Sequence, residues 1–333
     1  MEKVIAVVVT YNRQALLSEC ITALRNQTRK LDAIFVVNNG STDSTEQWLQ
    51  TQQDLFFVTQ KNVGSSGGFS TGISWAFQNN CSWVWCMDDD GYPKEDALEN
   101  LLKADDGNMR LINCAVINKE DKKSFVWKTQ QYKSLDEVDC EIIHGIGHPF
   151  NGTLLSRRII ERVGVPQPKL FLWGDETEYY YRITKTNNIP VCTVAGSIHY
   201  HPATAFSVKQ EWDYNSGWKM YYYVRNRFHV HKAKFSNKLV ALIHYGFFLI
   251  AFAGVTLFFQ KKDKLKKLSF IMCPAADAFS NNFIATPGYI LAKLKERKDH
   301  SVGSTVNAYL KNVWTTIAAP FTVQSARQNA ANA

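Results

Sequence analysis

The chain contains no Cys-x-x-Cys pair; its seven cysteines, Cys20, Cys81, Cys86, Cys114, Cys140, Cys192 and Cys273, are odd in number and scattered. That spacing argues against a zinc cluster or a disulfide framework and is expected of reduced thiols in a cytosolic compartment. No signal peptide is visible either. The apolar start Val4–Val9 runs straight into Thr10-Tyr11-Asn12-Arg13 with no small-residue cleavage site, so it reads as a first strand. There is no internal repeat.

With 333 residues and 45% hydrophobic composition, the chain can bury at least one large core and carry an appendage. Its net charge of +8 is unevenly spread. Residues 1–205 hold 20 Lys and Arg against 24 Asp and Glu, a balance of −4, whereas residues 206–333 hold 18 against 6, a balance of +12. An acidic or neutral first part followed by a basic second part implies that the latter meets something anionic, either nucleic acid or phospholipid.

Val4–Val9, Ala33–Val37, Leu55–Thr59 and Trp83–Met87 are short apolar runs, and Leu16–Asn26, Thr45–Gln52 and Gly68–Asn79 between them have helical periodicity. This βαβα order predicts a parallel sheet with helices on both faces, and ligands collect beyond the carboxyl ends of such strands. Residues 105–145 are polar and less periodic, with a strand or two expected. Leu239–Phe259 is an apolar run without a formal charge, preceded by Lys232, Lys234 and Lys238 and followed by Lys261, Lys262, Lys264, Lys266 and Lys267. It is long enough to span a bilayer, and lysines on both flanks fit a helix lying in the headgroup region as well as a spanning one; the surface-embedded helix is preferred, with a spanning helix and a buried soluble helix as alternatives. Positive charge that brackets an apolar run favours lipid over nucleic acid. The expected division is residues 1–205, a basic aromatic helical region at 206–322, and a disordered tail at 323–333.

Four segments carry chemistry. Met87-Asp88-Asp89-Asp90-Gly91 places three carboxylates at the end of an apolar strand, where they repel one another unless a cation is present. Mg²⁺ or Mn²⁺ would take one or two of these oxygens, and in an extended segment Asp88 and Asp90 would share one side. A solvated acidic turn before Pro93 is the plainer reading. In Asn62-Val63-Gly64-Ser65-Ser66-Gly67-Gly68-Phe69, glycines at a helix start would let backbone approach a phosphate or sugar, or simply form a flexible loop. In Trp173-Gly174-Asp175-Glu176, a carboxylate could take the proton of an attacking hydroxyl, or acidic residues could cap a helix. In His199-Tyr200-His201-Pro202, either imidazole could join a metal.

Taken in order, these segments resemble the family 2 glycosyltransferases, which have the GT-A fold, a Rossmann-like, mostly parallel sheet with helices on both faces. The likeness rests on Val8-Val9-Thr10-Tyr11-Asn12-Arg13, Val36-Val37-Asn38-Asn39-Gly40-Ser41-Thr42-Asp43, Asn62-x-Gly64-x-x-Gly67-Gly68, Asp88-Asp89-Asp90, Trp173-Gly174-Asp175-Glu176 and His199/His201, spanning about residues 3–205. It implies that Thr10, Tyr11, Asn12, Arg13, Asn39 and Asp43 contact the nucleotide, with Asn62, Gly67, Gly68, Asp88, Asp89 and Trp173 completing the nucleotide-sugar site. Asp88, Asp90 and His199 or His201 would hold the metal, and Asp175, preferred over Glu176, would be the base.

Within the family, the aspartate triplet, the Trp-Gly-Asp-Glu run and Tyr221-Tyr222-Tyr223-Val224-Arg225-Asn226 look most like galactofuranosyltransferases and the neighbouring rhamnosyltransferases. The resemblance implies a UDP-sugar donor, a glycan or lipid-linked saccharide acceptor, and a place at the cytoplasmic face of the cell membrane in bacterial surface polysaccharide synthesis. Arg225 would meet acceptor phosphate or a headgroup, or pair with a carboxylate among its own helices. The competing readings are a nucleic-acid-binding protein and a sugar-binding protein without catalysis.

Overall fold

The structure is a computed structural model and describes residues 2–127, 129, 131–203, 207–213, 215, 217–296, 310–311 and 314. The expected boundary at 205/206 and the expected tail at 323–333 lie outside the described residues. Two units make up the chain, one of Met1–Phe171 with Asp175–Ala205, the other of Leu172–Gly174 with Phe206–Ala333.

In the first unit the four apolar runs form β1 (Val4–Thr10), β2 (Ala33–Asn38), β3 (Phe56–Thr59) and β4 (Trp83–Asp88). The stretches between them form α1 (Gln14–Arg25), α2 (Thr45–Gln50) and α3 (Gly64–Gln78). These strands pair in parallel in the order β3-β2-β1-β4, the outcome of helical crossovers that return each strand in the same direction. Alternate residues of β1 enter opposite cores. Val4, Ala6 and Val8 meet Leu17, Ile21 and Leu24 of α1, while Ile5, Val7 and Val9 meet Phe69, Ile73 and Ala76 of α3. A strand buried on both faces needs an unbroken apolar run, and Val4–Val9 supplies it.

Helix α3 begins at Gly64, earlier than the expected Gly68, so the glycines form its first turns instead of a loop before it. A Cβ at Gly68 would fall 2.5 Å from Val9 Cγ1, and one at Gly72 would fall 2.3 Å from Val7 Cγ1. Glycine lets the helix backbone lie directly on the valines of β1.

Beyond Asp88 the unit adds β5 (Tyr92–Pro93), α4 (Ala97–Lys103), β6 (Leu111–Asn118), β7 (Ile142–His144), β8 (Asn151–Ser156), α5 (Arg157–Val163), α6 (Asp175–Tyr181) and β9 (Val191–His201). The full order is β3-β2-β1-β4-β8-β6-β9-β5, with β7 also on β9. Strand β8 runs antiparallel to β4 and β6, while β6 and β9 are parallel. The parallel arrangement therefore stops at β4, because β8 arrives by a long excursion that imposes no direction.

The second unit contains α7 (Trp218–Lys234), α8 (Lys238–Phe259), α9 (Lys264–Phe279) and α10 (Pro287–Glu296). Its interior is aromatic: Tyr245 donates to the Val224 carbonyl at 3.0 Å, Tyr222 to the Ala285 carbonyl at 2.9 Å, and Tyr221 to the Asp277 carboxylate. Arg225 is buried with its guanidinium 4.9 Å from the rings of Tyr222 and Phe283 and within the field of Asp277. It serves this interior and does not face a headgroup.

Helix α8 coincides with the apolar run, and Asn237 caps it by accepting from the amides of Leu239 at 2.8 Å and Val240 at 3.3 Å. By length and composition it could cross a membrane, with mean hydropathy 2.0 and only 28% of its most apolar window buried. Ile243, Phe247 and Ile250 are exposed at the i, i+4, i+7 spacing of one helix face, Ile250 to 71%.

Candidate active site

The carboxyl ends of β1, β2 and β4 lie side by side, with Thr10 in register with Asn38 and Val9 with Asp88. Asp88 closes β4 and the chain turns at Asp89 and Asp90, which ends the alternation expected of an extended segment. Asp89 is buried and accepts from Thr10 Oγ1 at 2.7 Å and from Arg13 Nη1 at 3.1 Å. Asp90 accepts from the same Arg13 nitrogen at 2.7 Å and lies 3.4 Å from His201 Nε2. Asp89 therefore turns in toward β1 and shares a guanidinium with Asp90.

The electrostatics follow from this crowding. Burial, followed by the charges of Asp90, Glu176, Asp89 and Asp175, pushes the Asp88 carboxyl well above its ordinary range. Burial raises Asp89 despite Thr10 and Arg13. Burial alone would raise Asp90 as well, yet His201 and Arg13 bring it down to about 2.

The acidic pair opens α6. Asp175 is buried, accepts from Ser65 Oγ at 2.6 Å and is steadied by the amides of the first helical turn, while burial pushes its carboxyl up to about 6. Glu176 is only half-buried, and among the described residues no hydrogen bond reaches its carboxylate. Burial, then Asp175 and Asp90, push it up to about 8.

The two histidines separate. His201 sits against Asp90, whereas His199 is sealed in the core; a Cβ on Gly91 would fall 2.3 Å from its Nε2. Burial and His201 drive the His199 imidazole down to about 3.

Among the described residues, no three His, Cys, Asp or Glu side chains gather tightly enough to enclose a metal ion. The donor types nevertheless fit a hard divalent cation: carboxylates of Asp88 and Asp90 and the imidazole of His201. Among the described residues, the ion pairs of this cluster are those of Arg13 with Asp89 and Asp90 and of His201 with Asp90.

The expected nucleotide contacts divide by exposure. Tyr11 is 46% exposed, and Asn12 and Asp43 are also on the surface. Asn12 adopts φ 55°, accepts from the Thr42 amide at 2.6 Å and donates its own amide to Ser41 Oγ at 2.9 Å. The Thr45 hydroxyl holds the Asp43 carboxyl below its ordinary range.

Asn39 is turned inward. Its amide donates to the Gly64 carbonyl at 2.9 Å, and its carbonyl accepts from Gln60 at 3.1 Å and the Val63 amide at 3.2 Å. Asn62 accepts from the Gly64 amide at 2.9 Å, Gly67 abuts Val63 and Gly68 abuts Val9. These residues clamp the start of α3; Val63 covers Gly67, and the close approach of α3 to β1 covers Gly68. Trp173 groups with the helical unit, where Asn226 donates to its carbonyl at 3.0 Å and Tyr223 meets its ring edge-on at 6.4 Å.

No motif marks Trp127 or His148, yet the Trp127 ring lies 5.3 Å from His201 and 4.7 Å from His148. A tryptophan in an otherwise polar stretch is the one sequence signal, and it is weak.

The family described as "Glycosyl transferase family 2" matches residues 5–164. Galactofuranosyltransferase GlfT1 of Mycobacterium tuberculosis is 31% identical over 215 residues, 60% of this chain and 70% of that protein. The chain belongs to glycosyl transferase family 2. Low-salt glycan biosynthesis hexosyltransferase Agl10 of Haloferax volcanii is 25% identical over 242 residues, 68% of the transferase and 76% of Agl10. The crystal structure of S. aureus TarS 1–349 superposes with a TM-score of 0.54 at 12% identity, covering 94% of the transferase and 90% of that chain. The same protein in complex with UDP gives a TM-score of 0.52, covering 90% and 95%. The transferase thus has the mixed α/β GT-A fold its motifs imply, and it is a glycosyltransferase of glycan synthesis.

Proposed function

We propose that this transferase moves galactofuranose from UDP-galactofuranose, with inversion at the anomeric carbon, to a hydroxyl of a glycan or lipid-linked saccharide. The observation that carries the reading is the crowding of Asp88, Asp89, Asp90, Asp175 and Glu176 in a family 2 fold, where burial first and their mutual charge second push Asp88 and Glu176 up. The 31% identity to a galactofuranosyltransferase supports the choice of sugar.

Glu176 is the base in this reading. A base must reach the acceptor hydroxyl; Glu176 is half-buried and no hydrogen bond among the described residues reaches its carboxylate, whereas Asp175 is sealed beneath Ser65. The role therefore passes from Asp175, preferred on sequence, to its neighbour. The acceptor oxygen attacks the anomeric carbon, its proton goes to the Glu176 carboxylate, and the bond to the diphosphate oxygen breaks with its electron pair leaving on the nucleotide. Tyr11, Asn12 and Asp43 receive the nucleotide, and Trp127 offers a ring face to sugar beside His201. Mg²⁺ or Mn²⁺ at Asp88, Asp90 and His201 would neutralise the leaving diphosphate.

Residues 1–205 act as the catalytic domain and 206–322 as a helical domain that rests on the cytoplasmic face of an anionic membrane. The exposed Ile243, Phe247 and Ile250 lie along a helix flanked by lysines at both ends, which suits an interfacial helix. A panel of nucleotide-sugars assayed for nucleotide release and transfer, with and without chelator, tests the chemistry. UDP-galactofuranose should turn over fastest and chelator should stop it; silence toward every donor would refute the activity, and chelator-resistant turnover would remove the metal.

A further inference from the structure

A groove of about 520 Å³ lies between α1 and the edge formed by β5 and β9, within the size range of ligand clefts. One wall is a face of α1 that carries Glu19 and Ala23, continued by Asn26 just beyond the helix end. The other holds Tyr92 and Tyr200, both half-buried, with ring centroids 5.5 Å apart and planes tilted by 48°. Tyr200 and His201 are successive residues of β9, so their side chains leave opposite faces of the sheet. The groove is therefore a surface distinct from the cleft at Asp90 and His201, although Tyr92 follows Asp90 by only two residues.

The groove's chemistry selects its ligand. Among the described residues, no hydrogen bond reaches the side chains of Glu19, Asn26, Tyr92 or Tyr200, so a carboxylate, an amide and two hydroxyls remain available. Glu19 and Glu95 line the groove, and its one lysine, Lys94, is already 3.2 Å from Asp96. Lys122 Nζ stands 5.9 Å from the centre of the Tyr200 ring, yet the two lining glutamates still leave the groove net negative, which disfavours phosphate and nucleotide. Exposed phenol faces beside acceptor-rich side chains suit a neutral polyhydroxylated ligand, whose C–H face lies on an aromatic ring while its hydroxyls donate to carboxylate and amide.

We infer that the groove between α1 and the β5–β9 edge binds a neutral oligosaccharide, as a site for remote sugars of the glycan that the transferase extends. The assignment to the acceptor rests on the reading of the enzyme as a glycan-extending galactofuranosyltransferase; binding itself does not.

The test measures binding of a galactofuranosyl disaccharide and hexasaccharide to the full-length protein by calorimetry without donor, alongside UDP release from UDP-galactofuranose. Tyr92→Ala should weaken hexasaccharide binding about ten-fold or more and Glu19→Gln several-fold, with Tyr92→Phe keeping most affinity and UDP release unchanged in all three. Glu19 is exposed, so its variant reports on the groove even if Tyr92→Ala misfolds. Hexasaccharide binding that all variants share, no hexasaccharide binding by an enzyme that releases UDP, or saturable binding of tetramethylammonium at the tyrosines in place of saccharide would each overturn the site. Loss of UDP release with variant-sensitive hexasaccharide binding would overturn the donor assignment and leave the groove standing.

Discussion

Ser65, in the first turn of α3, and Asp175, the first residue of α6, are joined by a 2.6 Å hydrogen bond. It ties the start of α6 to α3 and, in the proposed function, leaves Glu176 as the member that meets substrate. Glu176→Gln should lower kcat by roughly 10²–10⁴-fold with UDP affinity unchanged. Asp175→Asn keeps an acceptor for Ser65 and should lose less, about ten-fold or under. Initial rates with calorimetric UDP titration check both, and a Glu176→Gln enzyme at the wild-type rate would take the base role from Glu176.

The pH profile follows from the same residue. A base works only when deprotonated, and Glu176 is pushed up to about 8 in the free enzyme. We expect kcat/KM to climb with pH over about 6 to 9, because this ratio reports ionisations of the free enzyme. The limb should be missing from the residual activity of Glu176→Gln. A flat wild-type profile across that range would contradict the assignment.

Stability should move the opposite way. The Glu176 carboxyl binds its proton more tightly in the fold than in the unfolded chain, so its favourable contribution is complete below about 4.5 and is lost as pH rises toward about 8. Glu176→Gln removes that loss. After allowance for its partial exposure, the variant should be more stable by roughly 1–3 kcal/mol at pH 8 and unchanged at acid pH, read as a Tm difference in thermal melts at the two pH values. A lower Tm for the variant at pH 8 would show that the carboxylate is not repelled.

Gly72→Ala places a methyl carbon 2.3 Å from Val7 Cγ1, so the Val7 side chain, α3 or the strand must shift. A cost of about 1–3 kcal/mol is expected from such overpacking, measured by urea denaturation.

Phe247 and Ile250 are exposed to 66% and 71%, so the double change to glutamate should leave Tm unaltered. It should sharply reduce pelleting with anionic vesicles, since each charge opposes insertion of the apolar face. Unchanged pelleting would show that α8 is not the contact.

The first four strands and three helices are legible because each run's period matches what it buries. The reversal at β8 is not legible, since no helix forces a direction on it. The site was partly legible for a related reason. Asp90 and His201 are named by their motifs and do meet, but sequence cannot say that Asn39 uses its amide on Gly64 or that Gly67 and Gly68 face valines. Polar and glycine residues near a site look alike whether they touch a ligand or hold the loops that do. Trp127 shows the converse: its neighbours His148 and His201 come from distant parts of the chain, and local pattern carries no trace of them.

The contact of Gly68 and Gly72 with Val9 and Val7 leaves no spacer between α3 and β1. Any larger side chain there acts as a shim, lifting the helix and with it Ser65, so that the acidic pair drifts from the strand-end aspartates while every reacting group stays intact. Tolerance at these two positions is then set by alignment of the chemistry as much as by stability. A variant there can fold, bind nucleotide and still be silent.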